Sequence, residues 1–179
     1  LENKKKQVYI PVSTKESNVF FINDGGKLHN VSANSGADLV GNSRSAAYLD
    51  FDLDGDLDMV LNNYHEPAVF YRNNSEQLGN NWLRLRLVGD PGKGSSRDAI
   101  GARIIATTAD GNQSWREVHG SIGYMSVHPK QQHIGLGKAE SVDLRIIWPG
   151  GGESVHKGVK ANSEIVIEQA DEKLRTVQR

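Results

Sequence analysis

The sequence contains no cysteine. Disulfide bridges, zinc held by thiolates and thiol nucleophiles are therefore excluded at once. Long apolar runs are also missing: no stretch approaches the roughly eighteen residues that a membrane-spanning helix requires, so no membrane insertion is expected. Charge of one sign is lacking too. Twenty-one basic residues face twenty-two acidic ones, a net charge of −1, which removes the general electrostatic case for nucleic acid. The one basic cluster, Lys4–Lys6, reads as a solvated terminus. Among chemical signatures, no Gly-x-Ser-x-Gly elbow and no His-x-x-x-His pair occur, and the sequence carries no evident catalytic constellation. The segment Gly89–Ser95 is glycine-rich, but it lacks the Gly-Lys-Ser/Thr ending of a phosphate loop and reads as a turn. The chain begins at Leu1 with no signal peptide, and is read as a fragment or a processed product.

What the sequence has in abundance is aspartate, in one place. Asp50-Phe-Asp-Leu-Asp-Gly-Asp-Leu-Asp58 places five carboxylates in nine residues. Their mutual repulsion is relieved by a divalent cation, and calcium suits the pattern: it is a hard ion that takes six to eight oxygens at about 2.3–2.6 Å. Asp50, Asp52 and Asp54 fall at positions 1, 3 and 5 of a calcium loop, and Gly55 falls at position 6, where the chain turns sharply. Asp56 offers its carbonyl at position 7, and Asp58 closes the site at position 9, directly or through water. Position 12 is Leu61, not the glutamate of an EF-hand. The flanks Ser45–Leu49 and Leu57–Leu61 are rich in strand formers, so the loop is expected between strands.

Strand signals continue along the whole chain. Before the polar stretch Ser75–Asn81, strands are expected near 19–22, 27–31, 45–49, 57–62 and 68–72. After it, Trp82–Val88 alternates, with Leu83, Leu85 and Leu87 on one face. Further strands fall near 101–108, 113–119, 131–135, 142–148, 153–157 and 164–168, separated by Asp90-Pro91-Gly92, Asp110-Gly111-Asn112 and Pro149-Gly150-Gly151. Val142, Leu144, Ile146 and Trp148 share a face, as do Ile165 and Ile167. Short strands with regular breaks indicate an antiparallel sandwich or barrel. The organisation expected is a blade-like segment over 1–76, a β-domain over 82–169 and a loose tail over 170–179. Arg103 and Glu117 lie on strands that can pair, which predicts a cross-strand ion pair. Trp115 is the best candidate for an exposed aromatic; Trp82, Trp148 and Tyr124 are the others for a sugar-stacking platform. His119 and His133 are candidate spatial neighbours, each read as structural.

The aspartate loop resembles the calcium loop of the FG-GAP/VCBS repeat, the blade of integrin-like β-propellers, through Asp50, Asp52, Asp54, Gly55 and Asp58. Val19–Ser32 resembles the hairpin before that loop, and Ala68–Asn74 the opening of the next blade. The later segment resembles the ASPIC/UnbV domain in three stretches: Arg97–Arg103; Glu117–Ser126; and His133–Gly137 with Val142-Asp143 and Trp148-Pro149-Gly150. These resemblances imply an all-β protein, a partial propeller-blade segment with a calcium loop followed by an antiparallel β-sandwich. They also imply a non-catalytic calcium-binding adhesion or ligand-binding module, located extracellularly, at the cell surface or in the periplasm. Its expected partners are a protein or glycan ligand and the rest of a larger propeller chain. A carbohydrate-binding or carbohydrate-active protein, and a structural cap of a larger propeller, are the alternatives.

Overall fold

A computed structural model describes residues 15–177. In chain order the strands are β1 (Glu16–Ser17), β2 (Phe21–Asp24), β3 (Lys27–Asn30), β4 (Val40–Gly41), β5 (Ser43–Leu49), β6 (Asp58–Asn63), β7 (Val69–Tyr71), β8 (Asn81–Val88), β9 (Arg103–Thr108), β10 (Gln113–Glu117), β11 (Gln132–Gly137), β12 (Ser141–Ile147), β13 (Glu153–Lys160), β14 (Ser163–Glu168) and β15 (Leu174–Thr176). Among the described residues helix is confined to one four-residue turn, α1 (Ser32–Ser35), and two 3₁₀ turns at Ser75–Leu78 and Pro91–Lys93. The all-β expectation holds. Among the described residues no closed propeller forms.

The chain divides into two compact units. Of the described residues, the first comprises those up to Ser45 together with Leu61–Val69, and the second comprises Ala46–Val60 together with those from Phe70 onward. The division expected near Ser75–Asn81 therefore lies elsewhere: the aspartate loop joins the later strands, because its polar partners come from residues 72–84. In the first unit β2 and β3 form the expected hairpin, reversed at Gly25-Gly26. Both glycines have positive φ, and Gly26 N–H donates to Asn23 Oδ1 at 2.9 Å.

The second unit holds two four-stranded sheets, ordered β11-β8-β14-β15 and β10-β9-β12-β13. Alternation along each strand sends one set of side chains between them. Leu83, Leu85 and Leu87 from β8, Ile134 from β11 and Ile165 and Ile167 from β14 meet Ile104, Val142, Leu144 and Ile146 from the other sheet in one core. Each such side chain contributes about 1.5–3 kcal/mol through burial. Trp148 is buried with them, its Nε1–H donating to Ser154 Oγ at 2.8 Å.

Two expectations are corrected here. The sandwich is not wholly antiparallel: β14 runs parallel to β8, with Ser163 opposite Leu83 and Glu168 opposite Val88. β9–β13 intervene between these two strands, so the chain returns by a long excursion, as parallel pairing requires, and not by a hairpin. The tail is not loose over its whole length, since Leu174–Thr176 pairs with Ile165–Ile167 and Leu174 packs against the core. One partly buried leucine and a free sheet edge were enough to order a charged segment.

Candidate metal centre

The loop between β5 and β6 turns through two residues of positive φ, Leu53 (66°) and Gly55 (99°). For Leu53 that conformation costs about 1–2 kcal/mol. At Gly55 a side chain is excluded on a second ground: a Cβ there would lie 1.8 Å from Trp82 Nε1. The loop tip thus rests on the outward face of β8. Because Leu83 and Leu85 point inward, Trp82 and Arg84 point outward, and His133 on β11 stands opposite Arg84 in register. His133 Nε2–H donates to the Gly55 carbonyl at 2.7 Å, which fixes the orientation of the ring. Burial holds the His133 pKa below the ordinary histidine value.

The five aspartates take different roles. Asp50 Oδ2 accepts from Arg84 Nη1 at 2.6 Å and from Gly55 N–H at 3.1 Å. Arg84 is only 4% exposed although it sits on an outward position, because the loop covers it. Its other nitrogen reaches Glu164 Oε2 at 3.5 Å. Asp52 pairs with Arg72 at 2.8 Å, and Asp54 Oδ2 lies 3.6 Å from the same guanidinium. Asp56 is buried; its Oδ2 accepts from Ser75 Oγ at 3.0 Å and Glu76 N–H at 3.1 Å. Burial, with Asp54 adding, pushes the Asp56 carboxyl up against the pull of those hydrogen bonds. Asp58 spends both oxygens on backbone: Phe51 N–H donates to Oδ2 at 3.0 Å and Asn73 N–H to Oδ1 at 2.9 Å. It fastens the loop to itself and to the strand exit after β7.

Two sets of carboxylates come close enough to share an ion. Oxygens of Asp50, Asp52 and Asp54 lie within 4.8 Å of one another, and so do oxygens of Asp54, Asp56 and Glu76. Asp50 Oδ1, Asp54 Oδ2, Asp56 Oδ1 and Glu76 Oε2 are buried without a hydrogen-bond donor. Buried charged oxygens without donors are costly. An all-oxygen, anionic donor set of this kind fits a hard divalent cation. Three contributors were not legible from the motif: Arg72, Arg84 and Glu76. Arg84 left one trace, a charged residue on the outward phase of β8, a phase it shares with Arg86; Glu76 left none.

The remaining expected residues are dispersed. Arg103 and Glu117 do stand opposite each other on β9 and β10, but no ion pair joins them among the described residues, and Glu117 lies 3.7 Å from His119 Nδ1. Trp115 is 56% exposed, whereas Trp148 is in the core and Trp82 belongs to the other sheet, so they form no common platform. His119 and His133 both line a cavity of about 500 Å³ beside the loop, with Tyr48, Arg116 and His128. Tyr48 stacks on His128 at 4.9 Å and donates its backbone N–H to His128 Nδ1 at 3.1 Å. Gly89–Ser95 is a capped turn, Asp90 Oδ1 accepting from Gly92 N–H at 2.9 Å. Lys4–Lys6 lie outside the described residues.

Residues 92–174 match the family model described as ASPIC and UnbV. That range begins after β8 and takes in both sheets' later strands; the aspartate loop lies before it. The chain is also similar to cartilage acidic protein 1 of Mus musculus, 29% identical over 143 residues, which is 75% of this chain and 21% of the relative. The Xenopus tropicalis and Homo sapiens proteins of the same name are 32% and 31% identical over 114 residues, 62% of this chain and 17% and 16% of theirs. The chain thus spans about a fifth of the length of the curated relatives it matches. The FG-GAP/VCBS resemblance rests on the residues of the loop and its flanks alone.

Proposed function

We propose that the chain is a non-catalytic, calcium-stabilised adhesion or ligand-binding module that works outside the cytoplasm. The observation that carries this reading is the buried, donorless oxygen on Asp50 and on Asp54 within a cluster of three loop carboxylates. Asp50, Asp52 and Asp54 are the direct ligands, and Asp56 and Asp58, both after the turn at Gly55, shape the loop. Arg72 and Arg84 offset part of the negative charge, so the cation completes a partly balanced site and is not its sole source of positive charge. Calcium then fixes the loop on the outer face of β8 and β11, on which Trp82, Arg84 and His133 stand.

The similarity to cartilage acidic protein 1 supports a location outside the cytoplasm. Extracellular calcium modules bind with Kd of about 10⁻⁴–10⁻³ M, an affinity at which the site fills outside the cell and stays empty at cytosolic calcium. The cavity beside the loop supports a ligand-binding role for a protein or glycan partner. In the first unit, the hairpin exposes Phe20, Phe21, Ile22 and Leu28, an apolar surface of the kind that neighbouring propeller blades cover. Calorimetric titration of the chain with calcium tests the reading. A saturable heat with Kd in the range above, with one calcium site fewer in Asp52→Ala, is expected; no saturable heat up to about ten times the weaker limit of that range overturns it. Calcium-dependent retention on an array of matrix proteins and glycans is the corresponding test of adhesion.

A further inference from the structure

We infer that a second divalent cation binds between Asp54, Asp56 and Glu76, and that it ties the aspartate loop to the 3₁₀ turn at Ser75–Leu78. Asp56 is only 7% exposed, and its Oδ1 has no donor. Its other oxygen is already engaged by Ser75 Oγ and Glu76 N–H, which hold the carboxylate in place. Glu76 Oε2 and Asp54 Oδ2 are likewise buried and donorless. Three such oxygens from three side chains, drawn from two separate segments of chain, are what a cation position looks like before its ion is added.

The position is distinct from the one at Asp50, Asp52 and Asp54. A calcium ion sits about 2.4 Å from each oxygen, so oxygens on one ion lie no farther apart than about twice that distance. The two triads each satisfy this limit, but they do not merge into one group; only Asp54 belongs to both. Asp54 Oδ1 accepts from Asp56 N–H at 3.1 Å and Oδ2 has no donor, so of the roughly four lone pairs on this carboxylate enough remain to serve two ions. The charge balance also differs. Arg84 and Arg72 sit on Asp50 and Asp52 at 2.6 and 2.8 Å, whereas the nearest guanidinium to the second triad is Arg72, 3.6 Å from Asp54. Arg72 also faces Glu76 electrostatically, whereas Asp56 has no ion-pair partner among the described residues. Space is available: these three side chains open onto a cavity of about 410 Å³ that Ser75 and Asn80 also line, enough for waters to complete the six to eight oxygens that calcium takes.

The inference goes beyond the function proposed above and shares only Asp54 with it. Equilibrium dialysis of the full chain against calcium, with bound metal counted by atomic absorption, tests it. Two ions per chain are expected for the natural sequence, one for Glu76→Gln and one for Asp52→Ala. A count that Glu76→Gln leaves unchanged overturns the inference, and so does a single ion lost in both variants, which indicates one shared position. A single ion lost in Glu76→Gln but kept in Asp52→Ala upholds the second position and removes the first. No bound ion in the natural sequence removes both. Terbium luminescence excited through Trp82 supplies a second readout: two saturation steps are expected, and a single step that Glu76→Gln leaves unchanged overturns the inference. In Glu76→Gln the affinity of one step is expected to fall by about tenfold or more, since a charged ligand is lost.

Discussion

Gly55 is where loop conformation and loop docking meet. Its φ of 99° and the 1.8 Å approach of Trp82 to a hypothetical Cβ are separate obstacles to any side chain. Gly55→Ala is expected to lower stability by at least about 1–3 kcal/mol from backbone strain alone, read from urea unfolding. Arg84 is a second single-residue hinge of the site. Removing its guanidinium leaves Asp50 charged and buried without its ion-pair partner, and breaking a buried pair costs about 3–5 kcal/mol. Arg84→Met is therefore expected to unfold at markedly lower urea, with a smaller loss in calcium than in chelator, because the cation takes over part of the arginine's role. A third residue acts far from the loop. His156 on β13 is partly buried, its Nε2 without a partner, and burial lowers its pKa. The folded state then binds this proton less readily than the unfolded chain, so stability is full above about pH 6.5 and declines as pH falls below it. His156→Gln should flatten that decline in melting temperature between pH 7 and pH 5; an unchanged slope would show that other groups cause it.

Among the elements, the strands were legible where alternation was strict. Leu83, Leu85 and Leu87 announced β8, and Val142, Leu144 and Ile146 announced β12, since a period of two with one buried face admits few other structures. The strand–loop–strand setting of the aspartates was legible for the same reason. Pairing was less so. Nothing in Trp82–Val88 or Ser163–Glu168 states that they run parallel, because partner choice depends on how the intervening chain packs. β15 was missed because Leu174 is its one core-facing apolar residue and charged neighbours surround it. The site was half legible: the motif gives Asp50, Asp52 and Asp54, but Arg72, Arg84 and Glu76 reach it only through tertiary structure, twenty or more residues from the start of the loop. Truncation after Lys173 tests the edge strand. Removing Leu174–Thr176 uncovers the ladder edge of β14, so sedimentation should show concentration-dependent association that the full chain lacks, whereas a monomer of undiminished stability would deny β15 its place.

At the scale of the whole molecule, a net charge near zero conceals a concentrated acidic locus. Five loop aspartates and Glu76 meet two guanidinium groups, and four carboxylate oxygens remain buried without donors. A cation that binds only the folded chain stabilises it by linkage. At about 1 mM free calcium and an affinity near 0.1 mM, that stabilisation is about 1.4 kcal/mol, which for a protein of this size raises the melting temperature by about 3–6 °C. Thermal unfolding of the full chain in 1 mM calcium against excess chelator measures this directly. The expected result is a rise of that size for the natural sequence and a smaller one for Asp52→Ala; superimposable melting curves for the natural sequence in the two buffers would contradict it.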